Sequence, residues 1–198
     1  DITERKRHEQ AIVEYARQQA ALFKFADVLQ HSYVHEEIYN GALDAILDAL
    51  QCDRASILLF DETERMRFVA WRGLSDAYRK ATDGHSPWTV DDTNHEPIYV
   101  DAIDMADFSD ELKTVIKGEG ISSLAFIPLV PNGKLIGKFM VYFNTPHAFS
   151  EAELDLSQTI ARQLAFDIAR KRAEEKLRRS AELDAFRVAL ADTLRLLK

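Results

Sequence analysis

The chain has 198 residues, 46% of them hydrophobic and 10% aromatic, so it carries enough apolar surface for a packed core and is not a disordered polymer. Its 33 acidic against 25 basic residues leave a formal charge of −8, which argues against nucleic acid or an anionic lipid surface as a partner. The single cysteine, Cys52, excludes an intramolecular disulfide and a multi-cysteine metal site, and no apolar run approaches the ~20 residues that span a bilayer. No signal-peptide pattern opens the chain, so a cytoplasmic domain without membrane insertion is expected. The start at Asp1 without methionine and the stop inside a helical pattern suggest a piece of something longer.

Residues 1 to 51 read as helix, without proline and with Gly41 as the one glycine. Phe25, Val28 and Leu29 share a face, while Leu43, Ile46, Leu47 and Leu50 repeat the i, i+3, i+4, i+7 spacing of a half-buried helix. His31 and His35 stand four apart, a spacing that suits zinc on a helix, but no third ligand is evident and no metal is expected.

Residues 54 to 144 hold nearly all the prolines and glycines and read as strands with loops. Ala55–Phe60 (ASILLF) and Met66–Trp71 (MRFVAW) flank a polar turn and form a hairpin. Pro97–Val100 is a short third strand, and residues 106–117 (ADFSDELKTVIK) predict a surface helix closed by Gly118 and Gly120. Ile121–Val130 and Lys134–Phe143 flank Pro131-Asn132-Gly133, a hairpin turn because Asn-Gly tolerates positive φ. The sum is an antiparallel sheet of five or six strands.

Ser150-Glu151-Ala152-Glu153 is a capping box, and beyond it neither proline nor glycine interrupts the helix to Lys198. Leu156, Ile160, Leu164 and Ile168 form one stripe; Leu183, Phe186, Leu190 and Leu197, with Thr193, form a second at a/d-like spacing. The two are out of frame across RKRAEEKLRRS, which suggests a helix that changes partners there. The basic clusters at 5–7 and 170–172 are neutralised by neighbouring glutamates and read as solvated i, i+4 pairs. The pattern A-x-L-x-x-F-x-x-x-L occurs at Ala20, Leu22, Phe25, Leu29 and again at Ala181, Leu183, Phe186, Leu190, either because amphipathic helices resemble one another or because modules repeat.

Four segments, LQCDRASILLFDE, GEGISSLAFIPLV, NGKLIGKFMVYF and FSEAELDL, together resemble the GAF domain, a small-molecule-sensing module of signalling proteins, over roughly residues 20 to 170. DITERKR at the start resembles the tail of a PAS domain. The resemblance implies an α+β fold: a GAF-like twisted antiparallel sheet, N- and C-terminal helices packed on one face, and a loop-covered pocket on the other. It further implies a middle segment of a bacterial sensor, such as a histidine kinase. Residues 1–19 would then be a connecting helix, 20–170 the GAF-like domain and 171–198 a signalling helix. Homodimerisation through the terminal helices is expected, because the second stripe has no core of its own.

Candidate ligand-contacting side chains are His85, Trp88, Trp71, Phe126 and Tyr142. Within DGHSPW (83–88), adjacent His85 and Ser86 seldom make a nucleophile and base, and no G-x-S-x-G elbow is present. Gly84 and Pro87 set the loop's shape, and Trp88 is either a pocket wall or a plug of the core. Bilin-carrying GAF domains attach chromophore through a crossover cysteine that this chain lacks, and GAF-fold methionine sulfoxide reductases need several cysteines. No cofactor and no catalysis are therefore expected. The cyclic-nucleotide motif is matched only in part, by Asn144, Phe149 and Glu153. The remaining alternative is a ligand-free scaffold that sets dimer geometry.

Overall fold

The computed structural model describes residues 2–31 and 35–196. Helices α1 (Ile2–His31) and α2 (His35–Leu50) precede the hairpin of β1 (Arg54–Phe60) and β2 (Met66–Arg72). A crossover containing α3 (Asp76–Thr82), β3 (Ile98–Val100) and α4 (Asp110–Gly118) leads to the hairpin of β4 (Ser123–Leu129) and β5 (Gly137–Phe143), and α5 (Glu151–Leu196) closes the chain. The five strands pair antiparallel throughout in the order β2-β1-β5-β4-β3. This is the α+β architecture expected, with an open sheet.

Side chains alternate across a strand, so each central strand serves two cores. Ile57 and Leu59 of β1, Ala125, Ile127 and Leu129 of β4, and Phe139, Val141 and Phe143 of β5 pack with the long helices. Leu58, Leu124, Met140 and Tyr142 from the same strands build a second core on the opposite face. Against the first core lie Phe25 of α1, Leu43, Ile46 and Leu50 of α2, and Leu156, Ile160, Leu164 and Ile168 of α5. Each such aliphatic or aromatic side chain stabilises the fold by about 1.5–3 kcal/mol through burial.

The expected single helical zone is two helices. Their close approach explains Gly41, where a Cβ would sit 2.4 Å from Val28 Cγ1. His31 ends α1 and His35 begins α2, so the two histidines do not share the helix that an i, i+4 metal pair needs. The expected helix over 106–117 begins later, because Ser109 Oγ accepts the Leu112 amide and caps the helix there. Its end is set by Gly120, at φ +81°. Helix α3 was not expected; Ser75 caps it by accepting the Tyr78 amide at 3.1 Å.

The capping box closes as its spacing requires. The Ser150 amide donates to Glu153 Oε2 at 2.8 Å and the Glu153 amide to Ser150 Oγ at 3.3 Å. Glu153 also pairs with His147, whose ring stacks on Phe143 at 3.9 Å. Burial alone would raise the Glu153 carboxyl, but the Ser150 amide and hydroxyl and His147 outweigh it and hold the group below its ordinary value.

In the β4–β5 turn, Asn132 and Gly133 take φ 52° and 78°, as a type I′ turn demands. Strand pairing resumes only at Gly137, paired with Leu59. A Cβ at Gly137 would lie 2.2 Å from the Leu58 carbonyl oxygen, so only glycine allows β1 and β5 to approach there. Gly137→Ala is expected to lower the urea midpoint by the equivalent of about 1–3 kcal/mol, as overpacking does, with the m-value unchanged. A midpoint equal to wild type would show that the strands separate without cost.

Candidate functional site

On the sheet face away from α1, α2 and α5 lies a cavity of about 300 Å³. Its floor is the second set of strand side chains: Leu58, Phe68, Leu124, Phe126, Lys138, Met140 and Tyr142. Its cover is the crossover, which contributes Tyr78 and Thr82 from α3, the loop His85–Pro87, Phe108, and Leu112 and Ile116 from α4. The volume stands at the lower end of small-molecule pockets, and the lining is mostly apolar with few polar groups, as such pockets are.

The cover is tied down by polar contacts at its edges. The Glu119 carboxylate, just past α4, accepts the Ser75 amide at 2.7 Å and its hydroxyl at 2.6 Å, joining α4 to the start of α3. Arg54 of β1 donates to the Glu119 carbonyl and pairs with its carboxylate at 3.7 Å. Arg67 of β2 bridges Asp61, in the first hairpin turn, to Asp83 at the end of α3. Bonds from the Thr63 hydroxyl, Arg67 and the Arg65 amide hold the Asp61 carboxyl well below the usual carboxylate range.

The polar groups lining the cavity are mostly satisfied within the protein. Tyr142, fully buried, has its hydroxyl 2.8 Å from Ser56 Oγ and its ring edge-on to Tyr78. Burial pushes the Tyr142 hydroxyl well above its ordinary pKa, so it stays neutral. Thr82 Oγ1 donates to the Tyr78 carbonyl.

Lys138 differs. It is 2% exposed, projects from the middle of β5, donates to the His85 carbonyl at 3.1 Å and stands 4.8 Å from the centre of the Phe126 ring. Among the described residues no carboxylate pairs with it, and burial lowers its pKa from 10.5 to about 7. The other ionisable side chains on the wall are Tyr78, His85, Asp107 and Tyr142.

The structure sorts the expected site residues. His85, Phe126 and Tyr142 line the cavity, His85 at its exposed rim. Trp88 is 7% exposed yet lies off the cavity wall, and its amide donates to Ser86 Oγ in a local turn. Trp71 also lies off the wall, on edge strand β2, with the Arg79 guanidinium 3.7 Å above its ring. Gly84 has φ +79°, as the turn reading of DGHSPW expects. Lys138 was missed, although its signal was present: counting back by two from Tyr142 gives Met140 and Lys138 on one face of one strand.

Residues 35–169 match the family model of the GAF domain. The chain is a GAF domain. It shares 57% identity, at a TM-score of 0.70, with a domain assigned to a two-component sensor histidine kinase of Sinorhizobium meliloti 1021, covering 74% of this chain and 99% of that one. It also superposes on the GAF domain of an Acinetobacter phosphoenolpyruvate-protein phosphotransferase (21% identity, TM-score 0.62, 80% of this chain and 97% of that one). A third match is JSC1_58120g3 with bound biliverdin IXa (17% identity, TM-score 0.62, 77% and 99%). These last two likenesses concern the fold alone. No curated protein matches the chain.

In this GAF domain Cys52 belongs to the helix-side core, and burial pushes its thiol up to about 12. None of Asn144, Phe149 and Glu153, the partial cyclic-nucleotide match, lines the cavity. Phe149 packs against Tyr99 and Phe143, and Glu153 caps α5.

Two measurements probe the site. Between pH 7 and 10.5 the unfolded chain binds a proton at Lys138 that the folded chain has lost. Stability therefore rises with pH across that window, and the penalty is complete below it. Lys138→Met is expected to be the more stable protein at pH 7, by on the order of a few kcal/mol, with the gap closing as pH rises through the window. Parallel curves for the two proteins would mean that Lys138 titrates as an ordinary lysine. Trp88→Ala is expected to cost about 3–5 kcal/mol in thermal unfolding, the range for truncating a buried aromatic.

Proposed function

We propose that this GAF domain is a non-catalytic sensory module: a small molecule occupies the cavity under the crossover, and its presence changes the packing of α5, which carries the change to an output such as a histidine kinase. One observation supports this reading above the others. Lys138, Met140 and Tyr142 on the cavity floor alternate along β5 with Phe139, Val141 and Phe143. The latter belong to the core that holds Leu156, Ile160, Leu164 and Ile168 of α5. A displacement of β5 by a ligand therefore reaches α5 through one layer of packed side chains, and packed cores respond in steps. A ligand that fits one arrangement better shifts the population toward it.

Beyond the core, α5 exposes Leu177, Leu183 and Phe186 at 72, 58 and 65%, and α1 exposes Ile12 and Val13 at 67 and 66%. Burying apolar surface of this extent needs a partner, and a second copy of the chain in parallel register brings like residues of each helix together. The remainder of the second stripe, Leu190, Thr193 and Leu197, lies outside the residues whose side chains are described. The two copies of the repeated pattern support the same reading: Phe25 is fully buried whereas Phe186 is exposed. In this proposal residues 1–19 connect to an upstream module, 20–170 sense, and 171–198 transmit. Among the described residues no helix is long and apolar enough to cross a membrane; a cytoplasmic site of action is part of the proposal.

Leu112→Trp, which fills the cavity from α4, is expected to alter hydrogen-exchange protection along residues 169–187 at least severalfold, whereas an unchanged α5 would sink the relay. Sedimentation is expected to give a dimer that Leu183→Glu with Phe186→Glu weakens by about tenfold or more, since each change buries a charge in an apolar seam. A wild-type monomer at high concentration would remove dimerisation from the proposal.

A further inference from the structure

The cavity floor holds one cation, and most of the other polar side chains on the wall are engaged within the protein or stand at the exposed rim. Lys138 Nζ carries three donors, of which the His85 carbonyl takes one, and the Phe126 ring lies beside it. The Tyr142 hydroxyl is engaged with Ser56, the Thr82 hydroxyl with the Tyr78 carbonyl, and Ser86 Oγ with the Trp88 amide. Asp107, the one carboxylate on the wall, is exposed at the rim and makes no pair with Lys138. The apolar part of the lining includes Leu112, Leu124, Phe108 and Met140.

A buried cation without a counter-charge is an expensive feature, and hydrophobic residues fill every neighbouring floor position. The natural complement is an anion brought by the ligand. One lysine balances one negative charge; a multiply charged phosphate would leave charge buried without donors. Sugar hydroxyls or a base edge would find few free hydrogen-bonding groups on these walls. The volume of about 300 Å³ suits a single ring or short chain in addition to the head group.

We infer that the cavity takes a small monocarboxylic acid with an apolar ring or chain, its carboxylate seated on Lys138 Nζ and its body against Phe126, Phe108, Leu112 and Met140. This rests on the sensory reading and names the ligand's class. The carboxylate accepts the two donors that the His85 carbonyl leaves free, and in doing so draws the crossover loop, the floor of β5 and the ligand into one hydrogen-bonded unit. Lys138 is thus a binding residue that also tethers the cover, through the main chain of His85.

The test uses the full chain and matched probes: phenylacetate, 4-hydroxyphenylacetate and indole-3-acetate against their carboxamides, by calorimetry. At least one acid is expected to bind about tenfold or more tightly than its amide, and Lys138→Met, which keeps the volume and removes the charge, is expected to abolish that preference. On the wild-type protein, NMR of lysine labelled at Cε is expected to show the Lys138 signal moving toward that of a charged lysine when the acid is added. This second reading holds even if the variant folds poorly. Equal binding of acid and amide, a preference retained in Lys138→Met, or no binding of any acid with an unmoved Lys138 signal each overturns the inference. Amides that bind as well as acids would leave the cavity a sensor of neutral ligands. The sensory reading itself fails separately, through an unresponsive α5 in Leu112→Trp.

Discussion

Every residue of strand β5 from Gly137 to Phe143 is buried, and this one constraint organises the domain. A seven-residue strand in that position has to present an apolar or satisfied side chain on both faces at every step. Odd positions from Phe139 join the helices; even positions from Lys138 floor the cavity. A slip of one residue would exchange the two sets and put Lys138 among Leu43, Ile46 and Ile160. Register is held by pairing on both sides, Ile57 with Phe139 and Ile127 with Phe139, and by Gly137, where no side chain fits.

The two faces of the sheet are built differently, and the difference suits a sensor. The helix side is packed by long regular elements with aliphatic stripes, so its core is continuous. The crossover side is built from short helices and loops whose anchors are polar: Glu119 to Ser75, Arg67 to Asp61 and Asp83, Lys138 to His85. Loops fixed by a few hydrogen bonds open at lower free energy than a helix packed on a sheet. Under the proposed function, a ligand exchanges beneath this cover without disturbing the helix-side core until the floor itself moves.

The long elements were readable in the sequence because their periodicity is dictated by what they bury. Leu156, Ile160, Leu164 and Ile168 lie at a helical spacing and all reach the core; Ser150 and Glu153 cap one another as their separation requires. The Asn132-Gly133 turn was equally plain, since few other pairs accept two positive φ values in succession. The crossover was harder. Helix α3 is a single short segment without an apolar stripe, and its existence depends on the Ser75 cap and the tie to Glu119, a residue 44 positions away. The break between α1 and α2 carries no proline, and Gly41 is required by Val28 of the other helix packing against it, a contact that no local pattern encodes.

The sequence by itself determined the strands, the long closing helix and the helix-side core, because these follow from local patterns that recur every two or every 3.6 residues; the resemblance to the GAF domain was carried by four separate segments rather than by periodicity. It also placed His85, Phe126 and Tyr142 among the residues of interest. Only the tertiary structure decided that Trp88 and Trp71 stand off the cavity wall, and that a lysine stands on its floor, because burial is a property of what folds over a residue. Lys138 in isolation reads as a surface charge in an alternating strand. The crossover closing above β5 is what removes it from water, and with it the reason for its chemistry.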